Sequence, residues 1–162
     1  MLNKCILSWE SGEKELLFST LASEFIGGII IFQKHIGPDI SELLRDIKEI
    51  SKNPGLVICV DQEGGTGRRF TDEDIAVMGA REASTRQDTD QYGRSVRSMA
   101  HKLADYGINM ILAPVVDIVL SEKNILYDRS YGSLNKIEIY ADTFIKALVK
   151  HDITPCIKHF FG

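Results

Sequence analysis

Leu56-Val57-Ile58-Cys59-Val60-Asp61-Gln62-Glu63-Gly64-Gly65 runs five apolar residues straight into two carboxylates and a glycine pair. A short, continuous apolar run of this kind is a strand buried on both faces, the kind found in parallel sheets covered by helices. In such folds ligands bind beyond the carboxyl ends of the strands, and Asp61 and Glu63 stand at that lip. Side chains alternate along a strand, so Asp61 shares a face with Cys59 and Val57 and would project into the mouth of a barrel if that face is the interior.

On either side of this stretch, strand and helix patterns alternate. Residues 4–8 form a short apolar strand, and Leu16, Leu17, Leu21 and Phe25 give a helical stripe halted by Gly27-Gly28. Ile29-Ile30-Ile31-Phe32 is a second strand; Asp39 can cap a helix built on Ile40, Leu43, Leu44, Ile47 and Ile50, which Asn53-Pro54-Gly55 breaks. A polar loop spans residues 61–86, and Tyr92, Val96, Met99 and Leu103 then mark one helical face that ends at Gly107. Residues 108–113 form the fourth strand, and a second long loop covers 114–134. Asn135 with Glu138 resembles a capping box for a helix of Tyr140, Ala141, Phe144 and Leu148. The last strand is 153–157, interrupted by Pro155.

Five strands separated by four helices make an α/β fold with a parallel sheet. An open doubly wound sheet and a TIM barrel both fit that order. The first strand–helix turn has no G-x-G-x-x-G, which removes the main support for the dinucleotide-binding form of the open sheet. The long loops after the third and fourth strands and the charged end of the fifth all fall on one face, as barrel sites require. The expected architecture is therefore of (β/α)8-barrel type, with about the first five β/α units present and residues 1–162 forming one portion of that domain. A complete barrel needs eight strands and ~250 residues.

The totals narrow the function classes. Hydrophobic content of 44% and charged content of 26% are those of an ordinary globular chain, and a net charge of -4 gives no electrostatic reason to expect nucleic acid. No apolar stretch approaches the ~20 residues that span a bilayer, and the first ten residues are too polar for a signal-peptide core, so a cytoplasmic protein without membrane contact is expected. Cys5, Cys59 and Cys156 each sit in an apolar strand segment and are expected to be reduced, buried thiols. No zinc spacing, phosphate loop or nucleophile elbow occurs, and no metal or cofactor is expected.

The remaining chemistry sits in a few polar segments. A carboxylate at Asp61 can accept two hydrogen bonds from adjacent sugar hydroxyls, cap a helix or pair with an arginine. Arg68 and Arg69 share its loop, and Arg129 lies in the turn-like run Tyr127-Asp128-Arg129-Ser130-Tyr131-Gly132. Asp117 follows Leu112-Ala113-Pro114-Val115-Val116, where loop scaffolding and ligand contact are both open to it. Lys158-His159 ends the fifth strand with a cation beside a titratable ring, whereas His35, His101 and His151 are assigned no chemistry.

Together with Gly27-Gly28-Ile29-Ile30-Ile31-Phe32 and Lys158-His159-Phe160, these segments resemble the N-terminal catalytic domain of family 3 glycoside hydrolases. They are most similar to the bacterial β-N-acetylhexosaminidase branch, which works in cell-wall peptidoglycan recycling, and the matches run in the family's order over essentially the whole chain. By that resemblance Asp61, Arg69, Arg129, Lys158 and His159 bind the terminal sugar of an N-acetylglucosamine-containing carbohydrate. The full-length parent would remove that sugar with retention of configuration. The resemblance puts the nucleophilic aspartate on a later strand and the acid/base histidine on a loop beyond Gly162. No catalytic residue is then expected within the chain, which alone would be inactive. A family 3 β-glucosidase-like exo-glycosidase is one alternative, and a non-catalytic carbohydrate-binding or assembly protein is another.

The chain departs from the family's usual pattern at Gly67, where a larger aliphatic residue is common, and at Phe161, where proline is. The loop over residues 71–83 is also shorter and more acidic than usual. Five strands leave two unpaired edges, so self-association through them is expected.

Overall fold

The computed structural model describes residues 2–10 and 12–159. Phe160, Phe161 and Gly162, and with them the proline-to-Phe161 departure, lie outside the described residues. The elements in chain order are β1 (Ile6–Leu7), α1 (Lys14–Ser23), β2 (Gly28–Ile31), α2 (Ile40–Ile50), β3 (Val57–Val60), α3 (Ala80–Arg86), α4 (Thr89–Asp105), β4 (Met110–Ile111), α5 (Leu134–Val149) and β5 (Thr154–Pro155), with 3-10 turns at Leu2–Lys4, Gln33–His35 and Glu73–Ile75. The five strands pair in parallel, in the order β1-β2-β3-β4-β5, with no reversal point. Sequential right-handed crossovers produce this order, and it is the order of a barrel sector rather than of a doubly wound sheet.

Register divides the strand residues between two faces. Ile29, Ile31, Ile58, Val60 and Ile111 are fully buried and pack in one core with Leu21, Leu44, Ile47, Val96, Met99, Leu103, Phe144 and Leu148 from the four crossover helices. Each such side chain contributes ~1.5–3 kcal/mol through burial. The alternate residues Ile30, Cys59, Met110 and Thr154, which register side by side, form the other face. Of these, Cys59 is buried, Ile30 and Met110 are half-buried and Thr154 is exposed.

Most of the helix reading holds, with local reasons where it does not. All four residues of the Tyr92, Val96, Met99, Leu103 stripe are buried in α4, as are Tyr140, Ala141, Phe144 and Leu148 in α5. Gly107, at φ +91, ends α4: its N–H reaches Ala104 O at 2.8 Å and that of Ile108 reaches Leu103 O at 3.0 Å, a paired termination that a left-handed glycine permits. In α1 Leu17 and Leu21 are buried in the core with Phe18 half-buried against it; Leu16 and Phe25 are exposed, Phe25 lying past the helix end. Asp39 is the N-cap residue of α2 but makes no side-chain cap bond, because its backbone (φ -95, ψ 10) is not extended. The capping box at Asn135 is not formed, since α5 starts earlier: the extended Ser133 is its N-cap, and Ile137 N–H donates to Ser133 O at 2.9 Å.

The strands are shorter than the apolar runs that announce them. At the entry to β4 the Asn109 amide takes over the pairing of the neighbouring strand, accepting from Ile58 N at 2.7 Å and donating to Leu56 O at 2.9 Å. Pro155 is tolerated in β5 because Thr154 and Cys156 supply the N–H groups that meet Asn109 O and Ile111 O. The cysteines also differ from expectation: Cys59 is buried, Cys5 is half-buried and Cys156 is exposed. Burial, with the Asp61 charge nearby, pushes the Cys59 thiol up to about 11, which keeps it an unreactive small hydrophobe at neutral pH.

Candidate functional site

The loop after β3 is folded back on itself by one side chain. Gln62 is fully buried; its carbonyl oxygen accepts from Arg69 N at 2.9 Å and Phe70 N at 3.0 Å, and its amide nitrogen donates to Phe70 O at 3.1 Å. A buried amide with both acceptor positions and one of its two N–H groups engaged in this way acts as a rigid staple. The staple returns Arg69 to Asp61, where Nη2 donates to Oδ2 at 2.9 Å. Gly64 makes the turn at φ +93, and a Cβ there would lie 2.6 Å from Met78 O.

Glu63 is the centre of the assembly. Its side chain is 7% exposed and accepts a two-pronged bond from Arg129, Nε to Oε2 at 2.8 Å and Nη2 to Oε1 at 2.7 Å. That bond raises the Arg129 guanidinium above its ordinary value. Lys158 Nζ donates to Asp61 Oδ1 at 2.8 Å and also meets Glu63 Oε1. Lys158 arrives there because the chain after β5 continues alongside the loop after β4: Lys158 N–H donates to Pro114 O at 3.0 Å and Val116 N–H to Lys158 O at 2.7 Å.

The Arg129 turn is held from behind by α3. Arg81 donates from Nε to Tyr127 O at 3.2 Å and from Nη2 to Val119 O, and its guanidinium lies 4.1 Å from the centre of the Tyr127 ring. Ser84 Oγ donates to Tyr131 O at 3.0 Å, and the buried Tyr131 and Tyr92 hydroxyls are bonded at 2.9 Å. Asp117, buried just after β4, accepts at Oδ2 from the ring Nδ1 of His159 at 2.7 Å and from its backbone N at 3.2 Å. Among the described residues its Oδ1 is buried without a hydrogen-bond partner.

The structure thus gathers Asp61, Arg69, Arg129 and Lys158 into one ion-paired cluster around Glu63, while His159, next in the chain to Lys158, pairs with Asp117, whose charge also acts on Arg129. Arg68 makes no ion pair among the described residues. Glu63, which the sequence places beside Asp61 at the strand end but the resemblance does not count among the sugar-binding residues, is the residue that joins Arg129 and Lys158. Its signal was the two-residue spacing from Asp61, which keeps both carboxylates on one side of a strand end. Asp61, Glu63, Thr66, Gly67, Arg69 and Arg129 line a cavity of about 170 Å³, below the ~300 Å³ usual for enclosed ligand sites. A ligand here is held on one side and left open on the other.

The three carboxylates Asp61, Glu63 and Asp117 balance the three cations Arg69, Arg129 and Lys158, so the site suits a neutral ligand. Ionised carboxylates keep free lone pairs beyond the bonds they already accept, and the cations keep further N–H groups. A compound that both donates and accepts at close intervals, as vicinal hydroxyls do, matches that surface. Asp61 and Glu63 bond the same ammonium, so they stand on one side of any ligand and do not flank a bond as the carboxyl pair of a glycosidase must.

The family model described as Glycosyl hydrolase family 3 N terminal domain matches residues 9–162. A beta-hexosaminidase of Photobacterium profundum is 33% identical over 141 residues, covering 85% of this chain and 42% of that protein. One from Tolumonas auensis is 31% identical over 142 residues, with the same coverage of 85% and 42%. The chain spans less than half the length of these curated relatives. Among solved structures, NagZ of Neisseria gonorrhoeae in complex with N-trifluoroacetyl-D-glucosamine superposes with a TM-score of 0.78 at 25% identity, over 97% of this chain and 48% of that one. A family 3 glycosyl hydrolase of Mycobacterium smegmatis gives 0.83 at 26% identity, over 92% and 46%. These neighbours account for the sequential parallel sheet as part of a TIM-barrel domain. In sequence and in fold, the chain belongs to glycosyl hydrolase family 3, within that family's N-terminal domain.

Proposed function

We propose that this chain forms the sugar-holding side of a retaining β-N-acetylhexosaminidase, whose full-length parent removes terminal β-linked N-acetylglucosamine during cytoplasmic recycling of peptidoglycan. The observation that carries this reading is the cluster in which the carboxylates of Asp61, Glu63 and the adjoining Asp117 balance Arg69, Arg129 and Lys158, built to take a neutral polyhydroxylated ring. The relatives' name, beta-hexosaminidase, and the sugar derivative bound to the gonococcal neighbour support the choice of sugar. Three unpaired cysteines among the described residues fit a reducing compartment, and no helix among those residues is long and apolar enough to cross a membrane.

In this reading Asp61 accepts hydrogen bonds from adjacent hydroxyls, Arg69 and Lys158 hold Asp61 in place, Arg129 donates to the same ring and His159 contacts it through its imidazole. The reaction needs a nucleophile and a proton donor on opposite sides of the glycosidic bond. Asp61 and Glu63 share one side, so the 162-residue chain is expected to bind the sugar without turning it over. Titration of N-acetylglucosamine and of glucose into wild type and Asp61→Asn tests this. Wild type should bind N-acetylglucosamine with a dissociation constant in the millimolar range, about -4 kcal/mol, and Asp61→Asn at least tenfold more weakly. Equal preference for glucose favours a β-glucosidase parent, and equal binding by both proteins removes Asp61 from the site. Hydrolysis of an aryl N-acetyl-β-glucosaminide, with release of the phenol, by wild type but not Asp61→Asn would make Asp61 the reacting group.

A further inference from the structure

Asp117 lies one step behind the cluster, and its contacts are unusual in being concentrated on one oxygen. Oδ2 accepts both the ring Nδ1 of His159, at 2.7 Å, and the backbone N–H of the same residue, at 3.2 Å. Two bonds from one residue to one oxygen fix the imidazole's position and its plane together. The backbone that carries the carboxylate is itself held: the main-chain carbonyl oxygen of Asp117 accepts from Ser130 Oγ at 2.6 Å, and Ser130 Oγ accepts in turn from Gly132 N at 3.0 Å. Oδ1 is buried with no hydrogen-bond partner among the described residues, so no competing donor there pulls the carboxylate away from His159.

We propose that Asp117 is a positioning residue that holds His159 with its proton on Nδ1, so that Nε2 meets the ligand as an acceptor and selects a hydroxyl at that point. An ionised carboxylate can only accept, so the ring nitrogen facing it must carry hydrogen, and a neutral imidazole then has its lone pair on the other nitrogen. The Asp117 side chain is 5% exposed and that of His159 43%, so the accessible part of the ring is the edge away from Asp117, which bears Nε2. An acceptor there takes a hydroxyl or amide N–H and discriminates against a carbonyl or carboxylate oxygen. The tautomer stands on geometry alone; the nature of the ligand rests on the sugar-binding reading.

Long-range proton–nitrogen NMR of the neutral His159 ring reads the tautomer directly. Wild type should show Nδ1–H with an unprotonated Nε2. Asp117→Asn can turn its amide N–H toward Nδ1 and should shift the ring to Nε2–H, and Asp117→Ala should relax it the same way. Backbone amide spectra of each variant report whether the fold is kept. An Nε2–H ring in wild type overturns the proposal, whatever the variants do. The ligand half is read by titrating N-acetylglucosamine and its 3-, 4- and 6-deoxyfluoro analogues, which replace a donor by a weak acceptor. One analogue should lose about tenfold in affinity against wild type, the size of one hydrogen bond, and much less against Asp117→Asn. Equal losses in both proteins overturn the acceptor role. Failure of every sugar to bind an Nδ1–H wild type counts against the sugar-binding reading and leaves the positioning role of Asp117 standing.

Discussion

A single added methyl group at residue 67 would disturb the site. A Cβ on Gly67 would lie 2.5 Å from Glu63 Oε2 and 2.8 Å from its Cδ; the space a larger aliphatic residue would need is taken by the carboxylate that binds Arg129 and Lys158. Gly67→Val should therefore displace Glu63, cost about 1–3 kcal/mol through overpacking, and weaken sugar binding with it. Urea denaturation alongside the titration measures both, and an unchanged midpoint would show that the loop simply yields. His35 gives the pH dependence. Its ring stacks on Trp9 at 3.7 Å, its Nδ1 accepts from Phe32 N at 3.0 Å, and its Nε2 contacts Trp9 O at 2.9 Å. The Phe32 N–H requires an unprotonated Nδ1, and burial lowers the ring's pKa in the fold. The unfolded ring takes a proton near its ordinary value of ~6.5. Below that pH the unfolded state binds more protons, so stability falls as pH drops through ~6.5 and levels off once the folded ring also protonates. Thermal melts between about pH 7.5 and pH 5.5 should show that slope, and His35→Gln should flatten it. A slope unchanged in the variant would assign the effect to other groups.

The elements most visible in the sequence were those with long apolar stripes. Tyr92, Val96, Met99 and Leu103 announce α4, and the β-branched runs around Ile29 and Ile58 announce β2 and β3, because burial of one face imposes a period on the residues. The helix α3 was not legible and falls inside what reads as a loop over residues 61–86. It is seven residues long, and the residues it buries are Ala80, Ala83 and Ser84, too small and too few to show a period. The same limit applies to the site. Asp61 and Lys158 are conspicuous at strand ends, but the Gln62 staple and the Glu63–Arg129 pair depend on contacts across 8 and 66 residues that no local pattern encodes. Arg81 shows what α3 is for, since it supplies donors to two backbone carbonyls of the loop that carries Arg129. Arg81→Ala should leave both short of a partner and cost about 2–3 kcal/mol. Hydrogen exchange should then accelerate across residues 119–132 more than in α4 or α5. Uniform protection throughout would mean that Tyr131 and Ser84 suffice to hold the turn.

For the molecule as a whole, the sheet covers only one of its faces with helices. Among the described residues β1 and β5 each pair on one side only, and Ile6 is 47% and Ile157 53% exposed on or beside these two strands. Unpaired strand edges next to exposed apolar side chains favour association, and the sequential parallel order gives a second copy no reason to prefer one end. The isolated 162-residue chain should therefore sediment above its 18.1 kDa mass, with an average mass that rises with concentration and does not settle at a fixed stoichiometry. Lysine at these positions places a charge where an edge-on partner would pack, so Ile6→Lys combined with Ile157→Lys should lower the average mass at the same concentration. Both side chains are substantially exposed, so the double variant should melt close to wild type, and loss of association can then be separated from loss of fold. A wild-type chain that stays monomeric at high concentration would show that the uncovered face and edges are tolerated in water. A variant that associates as strongly as wild type would place the contact elsewhere, with the exposed outer residues Ile139 and Val149 of α5 as the next surface to charge.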